Sequence, residues 1–294
     1  MCKNRALLAL LAPILAMGLL SGCASSPKEN PAIPDQQESV EKLTHQANVA
    51  YDSGNDSDAI FYYQRVLSIS PKDRQALIKS GQLYLNNGIP EQAESSFEKA
   101  LNDNPSDIDA LEGIAVSQLK LRRFAEAKEN FEKVISLNDK RWNTWNGLGV
   151  LADIENNFSR SVACYQKGLQ VLPNNPMILN NLGYSLIMAH RYHEAEKILR
   201  SAISHTPMFN NRLKNNLALA LAWQGDYQNA MKIISGIYSE AIAYNNIGYI
   251  ALLNKDYETA VEYFELSMIK SPSYYERAAE NLAKATKLRD LASQ

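Results

Sequence analysis

From Val40 onward, apolar residues return every three or four positions, the spacing that turns one face of an α-helix toward a core. Gly, Asn and Pro interrupt the pattern at regular steps, so it predicts short paired helices and not one long rod. Small residues mark those steps. Ala59, Ala93 and Ala127 lie 34 apart, and the frame continues through Ser161, Ala195, Ala230 and Ala260 with steps of 34, 34, 35 and 30. Four residues beyond each comes a large apolar or aromatic group: Tyr63, Phe97, Phe131, Tyr165, Leu199, Ile234 and Phe264. Pro71, Pro105, Pro173, Pro207 and Pro272 close five of the units.

Each position has a steric reason. Ala and Gly let paired helices approach closely, the aromatic fills the space beside them, and the proline stops the second helix and turns the chain into the next unit. Upstream, Leu77…Gly81…Tyr84 and Trp145…Leu148-Gly149 fall in the same frame. Together these residues resemble the tetratricopeptide repeat (TPR), a helix–turn–helix of 34 residues written W-x₂-L-G-x₂-Y, A-x₃-F, P. The resemblance implies an all-α fold, a right-handed superhelical solenoid of about seven repeats. Units begin near Val40, Arg74, Ile108, Trp142, Pro176, Asn211 and Ala241. Residues 273–290 read as an amphipathic helix capping the last apolar face. Gly54, Gly88, Asn156 and Gly225 lie between paired helices and suit a left-handed turn. Arg122, His190 and Lys255 occupy the equivalent places, so those turns carry either modest strain or a different geometry. The sixth unit departs: after Ile234 it runs SGIYSE with no proline and four residues fewer, which predicts a short second helix.

The chain's beginning follows another pattern. Lys3 and Arg5 precede an apolar stretch, Ala6 to Leu20, too short to span a hydrocarbon core, which needs about 20 residues. It matches the apolar region of a secretory signal peptide. The stretch ends Leu20-Ser21-Gly22-Cys23, which resembles the lipobox of bacterial lipoproteins. The resemblance implies removal of residues 1–22 and lipidation of Cys23, whose thiol carries diacylglycerol and whose freed amine is acylated. Ala24, in place of Asp, then implies the outer membrane, on the periplasmic face. Residues 24–39, with Pro27, Pro31 and Pro34 among polar residues, cannot bury a core and read as a tether. At no more than ~3.5 Å per residue, the tether reaches up to about 50 Å from the lipid.

Charge and chemistry narrow the function. The chain has 30 Lys+Arg against 32 Asp+Glu, and removing Lys3 and Arg5 leaves 28 against 32, a net charge of −4. Nucleic acid is excluded as a partner, because phosphate binding needs a basic stripe. Of the three cysteines, Cys2 lies in the removed segment, Cys23 is lipidated and Cys164 reads as a small buried residue with no bridge to make. His190 and His193 lie within one turn, but no further ligand completes a zinc set. No nucleophile elbow, phosphate loop or metalloprotease motif occurs. The expectation is a protein that is not an enzyme and has neither cofactor nor small-molecule substrate, its acidic residues on solvated outer faces.

A TPR solenoid offers instead a groove lined by the first helix of each unit. Asn146, Asn180, Asn215 and Asn245 fall on one inward line, with Asn181, Asn216 and Asn246 beside them in "NNLGY", "NNLAL" and "NNIGY". One turn further lie Val150, Tyr184, Leu219 and Tyr249, with Trp223 nearby. Amides carry both donors and acceptors, so the row either binds an extended peptide, with the aromatics burying its side chains, or bonds within and between repeats. In the first two units only Asn48 and Lys79 suit a clamp for a free carboxylate, which argues against carboxyl-terminal chaperone tails.

The last third adds a narrower resemblance. The stretches 179–199 (LNNLGYSLIMAHRYHEAEKIL) and 215–231 (NNLALALAWQGDYQNAM) resemble the TadD family of the tight-adherence (Flp) pilus machine. So do the shortened sixth unit, "YNNIGYI" and "SPSYYERAAENL". The resemblance implies a pilotin-like scaffold that binds a secretin or another pilus-assembly subunit. Alternatives are a pilotin of the PilF/PilW type in type IV pili, or a general periplasmic adaptor for cell-wall hydrolases or proteases.

Overall fold

The computed structural model describes residues 39–205 and 210–294; the signal segment, Cys23, the tether as far as residue 38, and Pro207 lie outside the described residues. Among the described residues every regular element is an α-helix. The first helices of the units are α1 (Val40–Asp52), α3 (Arg74–Asn86), α5 (Ile108–Lys120), α7 (Trp142–Ile154), α9 (Pro176–Met188), α11 (Asn210–Trp223) and α13 (Glu240–Leu253). Their partners are α2 (Asp56–Ile69), α4 (Pro90–Asp103), α6 (Phe124–Leu137), α8 (Phe158–Val171), α10 (Tyr192–His205), α12 (Tyr227–Ile234) and α14 (Tyr257–Lys270). A last helix, α15 (Glu276–Ala292), follows. The seven repeats start where the apolar period places them, to within one residue. The cap begins three residues later than expected, because the chain uses Ser273 to Tyr275 to swing off α14.

Local chemistry fixes these boundaries. Asp73, Asp107 and Asn175 each stand two residues after a proline and cap the next helix, their side-chain oxygens accepting from Ala76, Ala110 and Ile178 amides. One tripeptide thus ends one unit and starts another. Between paired helices the chain turns through a left-handed residue: Gly54, Gly88 and Gly225 at φ 74, 73 and 84°, and Arg122, Asn156, His190 and Lys255 at 62, 56, 59 and 63°. Asn174 joins them at φ 61°, a position the repeat pattern did not single out.

Packing follows the small-and-large rule. Phe97 is fully buried, and a Cβ on either Gly81 or Gly113 would stand 2.5–2.8 Å from its ring carbons. The ring is clasped between its own unit and the next, and its burial alone is worth about 1.5–3 kcal/mol. Phe131 meets Gly147, Tyr165 meets Gly149 and Leu199 meets Gly183 in the same way. Beyond the pairs, successive first helices touch one another from α3 through to α15. One apolar cluster runs unbroken from Val162 on α8 to Ala285 on α15, whereas three smaller clusters serve the earlier units.

The sixth unit is the irregular one. Its second helix, α12, has 8 residues where the other second helices have 14. Unit six stays joined to unit seven through Asn254, whose amide donates to the Ala222 carbonyl at 3.0 Å and to the Tyr227 hydroxyl at 3.2 Å.

Candidate functional site

The two halves of the first-helix row carry different chemistry. In the early units it is ionic. Arg74 donates to Asp107 at 2.9 Å and to Asp109 at 2.8 Å, and Arg141 reaches back to Asp109 at 3.0 Å and to Glu112. Thr144 also donates to Glu112, and Arg123 pairs with Glu94. Asp107, Glu94 and Glu112 are buried, which corrects the expectation that acidic residues stay on solvated outer faces. A signal was present, since Arg74 and Asp107 lie 33 residues apart and Arg141 and Asp109 lie 32 apart, each close to one repeat. Burial pushes the Asp107 carboxyl up, but the Arg74 hydrogen bond, the Ala110 and Asp109 amides and the guanidinium charge outweigh it and hold the group below its ordinary value.

In the later units the row is built of amides, and they bond from repeat to repeat. Asn181 Nδ2 donates to Asn146 Oδ1, Asn216 Nδ2 to Asn180 Oδ1 and Asn281 Nδ2 to Asn245 Oδ1, each at 3.0 Å. The rule is simple: the second asparagine of one unit donates to the first asparagine of the unit before. Asn281, on the cap helix, obeys it although it stands outside the seven repeats.

One rung is missing. By the same rule Asn246 should donate to Asn215, but Asn246 is exposed and makes no such bond. Asn215 Nδ2 instead donates to the Tyr238 hydroxyl at 2.8 Å, and Asn215 Oδ1 is buried without a donor. The shortened unit explains this. Bonded rungs span 35 or 36 residues, whereas Asn215 and Asn246 are separated by 31, so α13 sits out of step with α11.

Two cavities open along this row. One of about 600 Å³ lies at the missing rung, where Asn215, Asn216, Asn245, Asn246, Tyr249 and Arg277 meet apolar Leu219, Ile234 and Ile250. The other, about 540 Å³, adjoins it through Asn215 and Asn216 and is lined by Val150, Asn180, Asn181, Tyr184 and Arg212. Tyr184 and Tyr249 are 43% and 41% exposed, one at each cavity. Among the described residues the only carboxylate lining either is Asp153, which accepts from the Tyr165 hydroxyl at 2.7 Å and from Ser185. Burial, with Asp153 beside it, pushes the Tyr165 phenol above its ordinary value, so it stays a donor.

The expected site residues therefore divide. Asn180, Asn181, Tyr184, Asn215, Asn216, Asn245, Asn246 and Tyr249 come together around the cavities. Asn146 is buried beneath them in a rung, with Met177 Sδ 3.8 Å from its Nδ2. Trp223 stacks on Tyr192 of α10, with ring centroids 5.8 Å apart and planes 3° from parallel, and lines neither cavity. Tyr238, Arg277 and Asn281 belong to the site but were not singled out in the sequence. Elsewhere, Cys164 is buried and burial pushes its thiol up, consistent with a packing role. Among the described residues no helix is long and apolar enough to cross a membrane.

Seven helix pairs, six of them with second helices of one length, left-handed hinges, clasped aromatics and a first-helix groove define a tetratricopeptide-repeat solenoid, a scaffold class that binds other proteins. Residues 52–134 match the family described as anaphase-promoting complex, cyclosome, subunit 3, and residues 164–197 and 241–268 each match a family described as tetratricopeptide repeat. Human tetratricopeptide repeat protein 7B is 23% identical over 155 residues, 53% of this chain and 18% of that protein. The peroxisomal targeting signal receptor of Kluyveromyces lactis is 26% identical over 171 residues, 57% of this chain and 30% of its own length. The chain thus spans less than a third of these two relatives. A solved tetratricopeptide repeat protein from Parabacteroides merdae superposes at a TM-score of 0.56 and 20% identity, covering 84% of this chain and 98% of that one. That likeness is one of fold.

Proposed function

We propose that this protein is a lipid-anchored docking scaffold of bacterial pilus assembly. Acyl chains on Cys23 hold it on the periplasmic face of the outer membrane, where several chains make a durable anchor. The groove of units four to seven takes an extended segment of a secretin or another assembly subunit. The observation that carries the groove is the pair of adjoining cavities, which set half-exposed tyrosines beside amides able to bond a peptide backbone. The pilus setting rests on the resemblance of residues 179–282 to the TadD family and on the lipobox. It is tested by deleting the gene and following secretin multimers and surface pili. Loss of both is expected; normal multimers with normal pili would leave the role of a general adaptor for cell-wall hydrolases or proteases.

Two sets of changes separate anchor from groove. Cys23→Ala should leave the solenoid folded, release it from the membrane fraction and abolish fatty-acid labelling. Tyr184→Ala with Tyr249→Ala should weaken partner capture about tenfold or more while leaving helical content unchanged, since neither ring carries a rung. Changing Asn180, Asn215 and Asn245 together to Ala is a harsher test, because Asn180 and Asn245 also accept inter-repeat bonds.

A further inference from the structure

We infer that the missing rung at unit six is the docking point for an extended protein segment that carries an acidic side chain, the segment's own peptide group completing the ladder. This deepens the groove reading and rests on it. The ladder itself states what is absent. Three bonded rungs follow one rule, and the fourth leaves an acceptor, Asn215 Oδ1, buried without a donor, and an exposed amide, Asn246, without a bond. Both line one cavity, which holds space for a segment of chain. A backbone N–H can donate to Asn215 Oδ1 while the carbonyl of the segment accepts from Asn246 Nδ2, so a single strand meets both halves of the broken pair. Tyr238, 38% exposed and accepting from Asn215, lines the same cavity, and docking on the buried oxygen requires the groups over it to move aside.

Charge decides which segment. Arg277, on the cap helix at the edge of this cavity, is exposed and has no ion pair with any described residue, and the cavity has no carboxylate in its lining. Arg212 lines the adjoining cavity, where Asp153 is already engaged by Tyr165 and Ser185. The row therefore offers two guanidinium groups to an incoming chain, and an acidic side chain is the complement of a planar, bidentate donor. Because the cavities adjoin through Asn215 and Asn216, the segment runs through and does not end there. Leu219, Ile234 and Ile250 take an apolar neighbour of the acidic residue.

The test is selection of a displayed library of random linear peptides, each fused at its carboxyl end so that no terminus is free. The full chain is the bait, compared with Arg277→Glu, Asn246→Ala and Tyr184→Ala. Arg277 and Asn246 are exposed, so their variants keep the fold, as circular dichroism will verify. Clones enriched on the wild-type protein are expected to carry Asp or Glu beside an apolar residue. They should bind Arg277→Glu at least tenfold more weakly and lose severalfold on Asn246→Ala, and selection on Arg277→Glu should favour Lys or Arg instead. Clones without acidic bias, or indifferent to both changes but weakened by Tyr184→Ala, overturn this inference and leave the groove reading standing. Failure to enrich any clone overturns both.

Discussion

Phe97 and Asp107 illustrate two ways in which one residue ties a repeat to the next. Phe97 does so by shape, with its ring held between Gly81 and Gly113 at distances that a methyl group cannot share. Gly113→Ala should therefore destabilise the protein by about 1–3 kcal/mol, read from urea unfolding, and Phe97→Leu in the same chain should recover part of that loss. Asp107 does so by charge. Its carboxyl titrates below the ordinary value of about 3.9, so the unfolded chain binds more protons in that window and stability rises with pH through it. Asp107→Asn keeps the helix cap and removes the charge. The wild-type advantage over this variant should be about 1–2 kcal/mol and flat above pH 5, and should vanish as pH falls below 4. A difference of the same size at every pH would mean the ion pair with Arg74 contributes nothing.

At the scale of elements, the amide rungs are joints between neighbouring first helices, and the last of them ties the cap to unit seven. Few residues of α15 are buried, Ala278 and Ala285 among them, so the Asn281–Asn245 bond matters more there than in the middle of the row. Asn281→Ala leaves a buried acceptor on Asn245, and should cost about 1–3 kcal/mol and raise amide hydrogen exchange in α15 before it does so in α9. Which elements form was legible in the residues, because proline, small residue and aromatic recur at steric positions whatever surrounds them. The short α12 was legible for the same reason, whereas at Arg122, His190 and Lys255 the residues left strain and a different turn geometry equally open, and the structure shows the left-handed turn. The direction of the rungs was not. Two adjacent asparagines read alike until the offset between repeats decides which amide donates and which accepts. The Arg74–Asp107 pair stood in the sequence close to one period apart, but opposite charges at that spacing are common on exposed faces, and only burial separates the cases. Trp223 shows the converse: its place in the frame pointed to the groove, but its ring is drawn to Tyr192.

At the scale of the whole repeat array, stability is a chain of nearest-neighbour terms, and those terms are unequal. The core that runs from α8 to α15 is continuous, whereas the earlier units rest on smaller separate clusters. Thermal or urea unfolding should therefore proceed in at least two stages, with residues 40–134 losing hydrogen-exchange protection before residues 176–285. A single cooperative transition seen alike by probes in both halves would show that the ionic joints of the early units match the later core in strength. That order would put the least stable repeats at the amino-terminal end of the solenoid and keep the cavities in its most durable part.

The truncation in unit six has one more consequence. The unit as a whole is four residues shorter, but α12 itself gives up six of the usual 14, more than one and a half helical turns. Helix length here works as a vernier: where α12 is short, one set of amides stands out of line with the next. Related chains could open, shift or close this gap in the ladder by lengthening or shortening that one helix, a change in phase that no single substitution can reproduce.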